Sequence, residues 1–230
     1  HSREILAASE IEAAMRDLDE RTFDQEYGGE FVLFSGRAYY GFGEYSTAPL
    51  RHLYDPAKVL CVSFDFNVSP GVACISQEVT LPVSNTDDEN VGTAVIGEVY
   101  IPDNSTTPAV CRKVLEDWGG HVGPVECYGD ATGGSRGTAQ TEGSDWELIR
   151  QILRHGDGDG LTGFGVDRCT FHVKPSNPSE RARLNAVNSR LRSSSGDIRL
   201  MVDPVHAPHV VLDFEGVITL EGGSGEINKK

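Results

Sequence analysis

The chain has 230 residues, 38% hydrophobic and 24% charged, enough to bury one good core, and a single α/β domain is the expectation. Its net charge of −15 argues against a protein that grips DNA with its whole surface. No apolar run approaches the ~18 residues that span a bilayer and nothing reads as a signal peptide, so no membrane partner is expected.

Ile11, Ala14, Met15 and Leu18 fall on one face of a helix over about 7–21. Phe31–Phe34 and Arg37–Tyr40 read as a hairpin turned at Ser35-Gly36. Beyond Pro56, Val59–Phe64 is a buried-strand run ending on Asp65. Gly71–Ser76 gives a second strand, 84–90 a polar loop, and Thr93–Ile101 a third strand carrying Glu98. Short connections make these three an antiparallel meander. A helix capped at Ser105 or Thr106 follows, with Val110, Val114, Leu115 and Trp118 on its inner face.

Val125–Gly129 is a fourth strand ending on Asp130, and the loop 131–143 is rich in Gly and Thr. A second helix starts at Ser144 or Asp145, and Phe171–Val173 gives a fifth strand. Asn177-Pro178 opens a helix bearing Arg181, Arg183, Arg190 and Arg192. Ile198–Val202 and His209–Phe214 finish as short strands or a turn of helix. The order β-β-β-α-β-α-β-α implies a mixed sheet with helices on its faces. The five cysteines include no C-x-x-C pair; Cys61, Cys74 and Cys127, inside strand-like apolar runs, read as small core residues of a reducing compartment, and no zinc site is expected.

Asp65 and Asp130 each end a strongly apolar strand, where open α/β sheets place their ligand crevice. If the first and fourth strands are neighbours, the two carboxylates face each other and repel unless a proton or a divalent cation joins them. Oxygen donors alone favour Mg²⁺ or Mn²⁺, and two such ions suit phosphodiester hydrolysis. From spacing alone, ordinary turn or N-cap aspartates are an equal reading.

Other signals are weaker. His155–Gly160 starts like a calcium loop, but the twelfth position from Asp157 is Arg168, where such a loop needs Glu. The glycines after Asp130 lack the G-K-[ST] of a phosphate loop, so no ATPase engine is encoded here. Arg181, Arg183 and Arg190 are the candidate DNA-backbone contacts, with a solvated helix face as the equal alternative.

Taken in order, C-V-S-F-D-F-N-V-S-P at 61–70, Y-G-D-A-T-G at 128–133, S-D-W-E-L-I at 144–149, R-A-R-L-N-A-V-N-S-R-L at 181–191 and L-D-F-E-G-V at 212–217 resemble the nuclease domain of phage terminase large subunits. D-E-R-T-F at 19–23, with Q-E-Y and E-F-V after it, is similar to the join that follows the ATPase half. The resemblance implies a ribonuclease H-like mixed sheet, three antiparallel strands then parallel ones, flanked by helices. It divides the chain into 1–56, the join from an absent ATPase half, and 57–230, the nuclease domain without its last helix.

It further implies an Mg²⁺- or Mn²⁺-dependent endonuclease with a two-metal site, cutting concatemeric viral double-stranded DNA in the host cytoplasm during genome packaging. Asp65 would bridge both ions and Asp130 would hold one. The third carboxylate belongs to a T-H-x-S-D-A-like segment expected beyond Gly225–Lys230; Glu98 and Asp213 are the lesser candidates, followed by Asp203 and His206. Implied partners are the ATPase domain of the same full-length chain, a small terminase subunit and a portal protein. Two alternatives remain. Phe64-Asp65-Phe66-Asn67 resembles the opening of haloacid dehalogenase-like phosphatases, with Asn67 where the acid stands, and a non-catalytic docking domain would need no metal.

Overall fold

The computed structural model describes residues 7–29, 36–66, 69–82, 90–131, 144–220 and 227. In chain order the elements are α1 (Ala8–Asp17), α2 (Glu20–Phe23), β1 (Leu60–Asp65), β2 (Gly71–Thr80), β3 (Val91–Ile101), α3 (Thr107–Trp118), β4 (Val125–Gly129), α4 (Asp145–His155), β5 (Cys169–His172), α5 (Glu180–Leu191), β6 (Leu200–Val202) and α6 (Pro208–Gly216). Hydrogen-bonded strands follow the order β5-β4-β1-β2-β3-β6. β1 pairs antiparallel with β2 and parallel with β4, which pairs parallel with β5. Leu81 N donates to Asn90 O at the base of the β2–β3 hairpin. A meander beside parallel fourth and fifth strands, in the order 5-4-1-2-3, is the ribonuclease H-like arrangement.

The chain divides into two compact units: His1–Pro49 with Val79–Ala94 and Pro178–Lys230, and Leu50–Glu78 with Val95–Asn177. In the second unit the strands are amphipathic. Leu60, Val62 and Phe64 are buried, whereas Ser63 and Asp65 between them are exposed, so the run expected to be buried throughout is buried on one face. Val125 and Cys127 of β4 extend that face. Helices α3 and α4 pack on each other, burying Val110, Val114, Leu115 and Trp118 of the one and Trp146, Ile149 and Leu153 of the other. Both start where their sequence provides a cap: Thr106 Oγ1 accepts from Ala109 N, and Ser144 and Glu147 form a reciprocal capping box.

In the first unit the long helix expected over 7–21 is broken at Leu18, which is extended, because Asp19 caps a new helix by accepting from Thr22 N. The first arm expected of the hairpin, Phe31–Phe34, and its turn residue Ser35 lie outside the described residues. Of its second arm, Arg37 forms an isolated antiparallel bridge with Ile218 and Ala38–Tyr40 is a turn. The buried Asn188 of α5 holds that turn from both sides, donating to Ala38 O at 2.9 Å and accepting from Gly41 N at 3.1 Å. Helix α5 begins at Glu180 rather than at Asn177-Pro178, since Ser179 supplies the cap. The closing segment resolves into strand β6 and helix α6, with Pro208 in the first turn. Among the described residues no helix is long and apolar enough to cross a membrane.

Candidate functional site

The parallel register of β1 and β4 aligns Leu60 with Val125 and ends by aligning Phe64 with Gly129. Asp65, the last residue of β1, and Asp130, the first after β4, follow directly, so the two aspartates singled out in the sequence lie at the carboxyl ends of neighbouring strands, whose axes run about 4.8 Å apart. Asp65 is exposed and Asp130 half-buried.

Three contacts fix the backbone at Asp130. Its carbonyl oxygen accepts from Trp146 Nε1 at 3.0 Å, and Trp146, in the first turn of α4, is fully buried against Phe66 and Phe171. The following amide, Ala131 N, donates to Asn177 Oδ1 at 2.8 Å. Gly129 lets the chain pass close to its neighbours: a Cβ there would lie 3.0 Å from Phe64 O and 3.1 Å from the rings of Phe66 and Trp146.

Glu126 and Tyr128 alternate along β4 toward the same face, both half-buried. Tyr128 Oη donates to Glu126 at 2.5 Å, His172 Nε2 of β5 lies 3.5 Å from the same carboxylate, and the Tyr128 and His172 rings stack at 4.6 Å. The hydrogen bond to Glu126, aided by burial, pushes the Tyr128 hydroxyl pKa upward. This cluster escaped the sequence reading, although V-E-C-Y-G-D carries its signal as a period of two. Burial, with Glu126 and Glu78 nearby, pushes the Cys61 thiol to about 11; burial and Glu98 push Cys74 to about 12. Neither supplies a ready thiolate, which leaves the oxygen donors and the His172 imidazole on this face.

Glu98 stands on β3, two strands from β1 in the sheet order, about 10 Å by strand spacing. Asp213 is exposed on α6 in the first unit, where its charge helps hold the Tyr39 hydroxyl pKa up behind the larger effect of burial. Asp203 is buried in a turn, accepting from Val205 N, His206 N and His206 Nδ1 at 3.0–3.2 Å. Of the late-helix arginines, Arg190 donates to Thr93 Oγ1 at 3.2 Å and Arg181 to Gln25 Oε1 at 2.7 Å, while Arg183 bears electrostatically on Tyr39. The loop at 157–160 is closed by Arg112, which pairs with Asp157 at 3.1 Å and Asp159 at 3.4 Å, so a cation of this chain's own occupies the place a calcium ion would take.

Among the described residues no group of three His, Cys, Asp or Glu side chains is arranged to hold a metal. Two carboxylates at one open edge nevertheless fit a hydrated divalent ion, since Mg²⁺ keeps several waters and is often held by one or two protein carboxylates plus phosphate oxygens.

No family model matches the chain, nor does any curated protein. Solved structures do. A large terminase from a thermophilic bacteriophage, bound to ATP-γ-S, superposes with a TM-score of 0.62 at 12% identity over 98% of this chain and 49% of that one. A second crystal structure of it gives 0.60 over the same shares. The g2p large-terminase nuclease domain of bacteriophage SPP1, solved with Mn, matches more loosely, at 0.45 and 11% identity over 82% of this chain. The fold is thus terminase-like, and this chain spans about half the length of the thermophilic-phage terminase structures it matches.

Proposed function

We propose that this chain is the nuclease part of a DNA-packaging large terminase, a divalent-metal-dependent endonuclease acting on viral double-stranded DNA. The observation that supports this reading is that parallel β1 and β4 are neighbours, with Asp65 closing the one and Asp130 directly following the other, in a sheet of ribonuclease H-like order. The terminase-like fold supports it.

Asp65 and Asp130 would hold Mg²⁺ or Mn²⁺. The ion, when bound, neutralises the paired carboxylates and polarises a phosphoryl oxygen. Trp146, Asn177 and the close-packed Gly129 hold the Asp130 backbone at the end of β4. Tyr128, hydrogen-bonded to Glu126, adds a polar hydroxyl on the face of β4 that carries that carboxylate. Affinity for backbone phosphate without base contacts gives little sequence preference. An ATPase domain in the full-length protein, a small terminase subunit and a portal would bring the DNA, in the cytoplasm of the infected host.

The phosphatase alternative is not favoured. After Asp65 the chain returns antiparallel as β2 rather than crossing over to a parallel strand, as a doubly wound sheet would require. Asn67, the residue standing where that family has its acid, lies outside the described residues.

The test is nicking of supercoiled plasmid in Mn²⁺, with EDTA and Asp130→Asn as controls. Cutting that both controls abolish supports the nuclease. Phosphate release from small phosphoesters with plasmid left intact would favour the phosphatase. A folded chain that binds Mn²⁺ and does neither would sink the nuclease reading and leave a docking domain.

A further inference from the structure

Helix α4 and strand β5, which closes the strand order at one end, both belong to the second unit, and two arginines of α4 share one ring of β5. Arg150 Cζ lies 5.6 Å and Arg154 Cζ 5.0 Å from the centre of the half-buried Phe171 ring. Like charges four residues apart on a helix repel. The ring face attracts both cations and gathers them at one spot, but it supplies no opposite charge.

Among the described residues neither arginine has a carboxylate partner. On α3, by contrast, Arg112 is paired with Asp157 and Lys113 with Asp117, as expected in a chain of 35 acidic and 20 basic residues. The nearest carboxylate in sequence, Glu147, is turned back to the helix cap, accepting from Ser144 N at 2.8 Å. Arg154 Nη2 donates to Cys169 O at 3.5 Å, and its Nε is buried without a hydrogen-bond partner. The Arg150 guanidinium makes no hydrogen bond to any described residue. A guanidinium carries five N–H donors, so most donors of the pair are uncommitted.

The pair lies on a line that starts at the candidate site. Trp146 Nε1 donates to Asp130 O at the beginning of α4; at its end Gly165 N donates to Arg154 O, and Arg154 reaches the start of β5. The helix therefore runs back along β5, with Arg150 about 6 Å and Arg154 about 12 Å along its axis from Trp146.

We propose that Arg150 and Arg154 bind the phosphate backbone of duplex DNA along the outer edge of β5 and lead it to the carboxyl end of β4. Each planar fork matches the oxygens of one phosphate group, and one turn of helix separates the two forks. Such contacts fix how the duplex lies without reading its sequence. The inference rests on the nuclease reading for the identity of its ligand, and adds the path that the ligand takes.

The experiment measures equilibrium binding of a short labelled duplex across a salt series, in EDTA so that no cutting intervenes, with plasmid nicking in Mn²⁺ measured separately. Arg150→Gln/Arg154→Gln should weaken duplex binding about tenfold and make its logarithmic salt dependence shallower by about two phosphate contacts. Arg150→Lys/Arg154→Lys, which keeps both charges and gives up the forks, should restore the salt dependence, which a mere cover for Phe171 would not move. Lys58→Gln/Lys113→Gln removes two charges from exposed lysines elsewhere in the unit and should shift binding by less than about twofold. Full duplex binding by the glutamine variant, an equal loss in the lysine control, or a parent chain that binds no duplex overturns the proposal. A parent that binds duplex through the two arginines yet never nicks supports the track and removes the nuclease. A parent that nicks, with a glutamine variant that binds and nicks equally well, keeps the nuclease and sinks the track.

Discussion

Trp146 Nε1 donates to the carbonyl oxygen of Asp130 at 3.0 Å, tying the first turn of α4 to the end of β4. The indole is wholly buried, so the bond is shielded from water and its loss is not made up by solvent. Trp146→Phe should lower stability by about 1–3 kcal/mol in urea unfolding. Plasmid nicking should fall more steeply than stability does, because Asp130 loses its anchor. Unchanged nicking in a destabilised variant would show that the anchor serves the fold alone.

The adjacency of Asp65 and Asp130 predicts opposite effects with and without metal. In EDTA, Asp65→Asn or Asp130→Asn removes a like-charge repulsion and should raise the melting temperature by about 2–4 °C, as expected for roughly 1 kcal/mol in a chain of this size. In Mn²⁺ the order reverses, because the parent gains binding energy that the variants lack. Calorimetry in both buffers checks this. Equal response to Mn²⁺ in parent and variants would mean that the ion binds elsewhere.

His121 is buried in the second unit, its Nδ1 2.9 Å from Tyr54 Oη and its Nε2 3.1 Å from Pro124 O. A neutral ring satisfies both contacts, accepting from the tyrosine and donating to the carbonyl. Burial lowers its pKa, with the Arg168 charge acting the same way. The unfolded chain therefore takes up this proton first as pH falls below about 6.5, and stability is lost from there down through the folded value. Above that range the contribution is complete. Melting temperatures from pH 7.5 to 5 should fall more steeply for the parent than for His121→Gln.

Gln77 is buried on β2 and makes three hydrogen bonds: it accepts from Asp55 N at 2.8 Å and donates to Asp55 O and Val59 O at 3.0 and 3.1 Å. It fastens the approach to β1. Gln77→Leu leaves three backbone groups to find new partners and should cost about 3 kcal/mol. Urea unfolding measures the loss, and hydrogen exchange should localise it at residues 55–59.

The meander, the capped helices α3 and α4 and the aspartate at each strand end were legible because each rests on local pattern: apolar alternation, a Thr or Ser before a helix, a polar residue closing an apolar run. Placing Asp65 beside Asp130 needed only that β1 and β4 be neighbours. Other features depend on partners distant in sequence. Asn188 reaches across to Ala38 and Gly41 and turns a segment that reads as a strand into a turn. Arg181 stands out on its own helix, but nothing local joins it to Arg21, with which it lines one pocket. The break at Leu18 was visible in principle, since Asp19 with Thr22 three residues on is an internal cap, but the apolar spacing continues through it.

The parallel pairing of β1 with β4 also sets an order of events. A hairpin can close soon after its second strand emerges, but β4 reaches β1 only after β2, β3 and α3 have been made, since parallel partners require a crossover. Until that docking, Asp65 and Asp130 belong to segments that have not yet met. A nascent or misfolded copy therefore lacks the arrangement altogether, and any activity that needs both carboxylates waits on completion of the sheet.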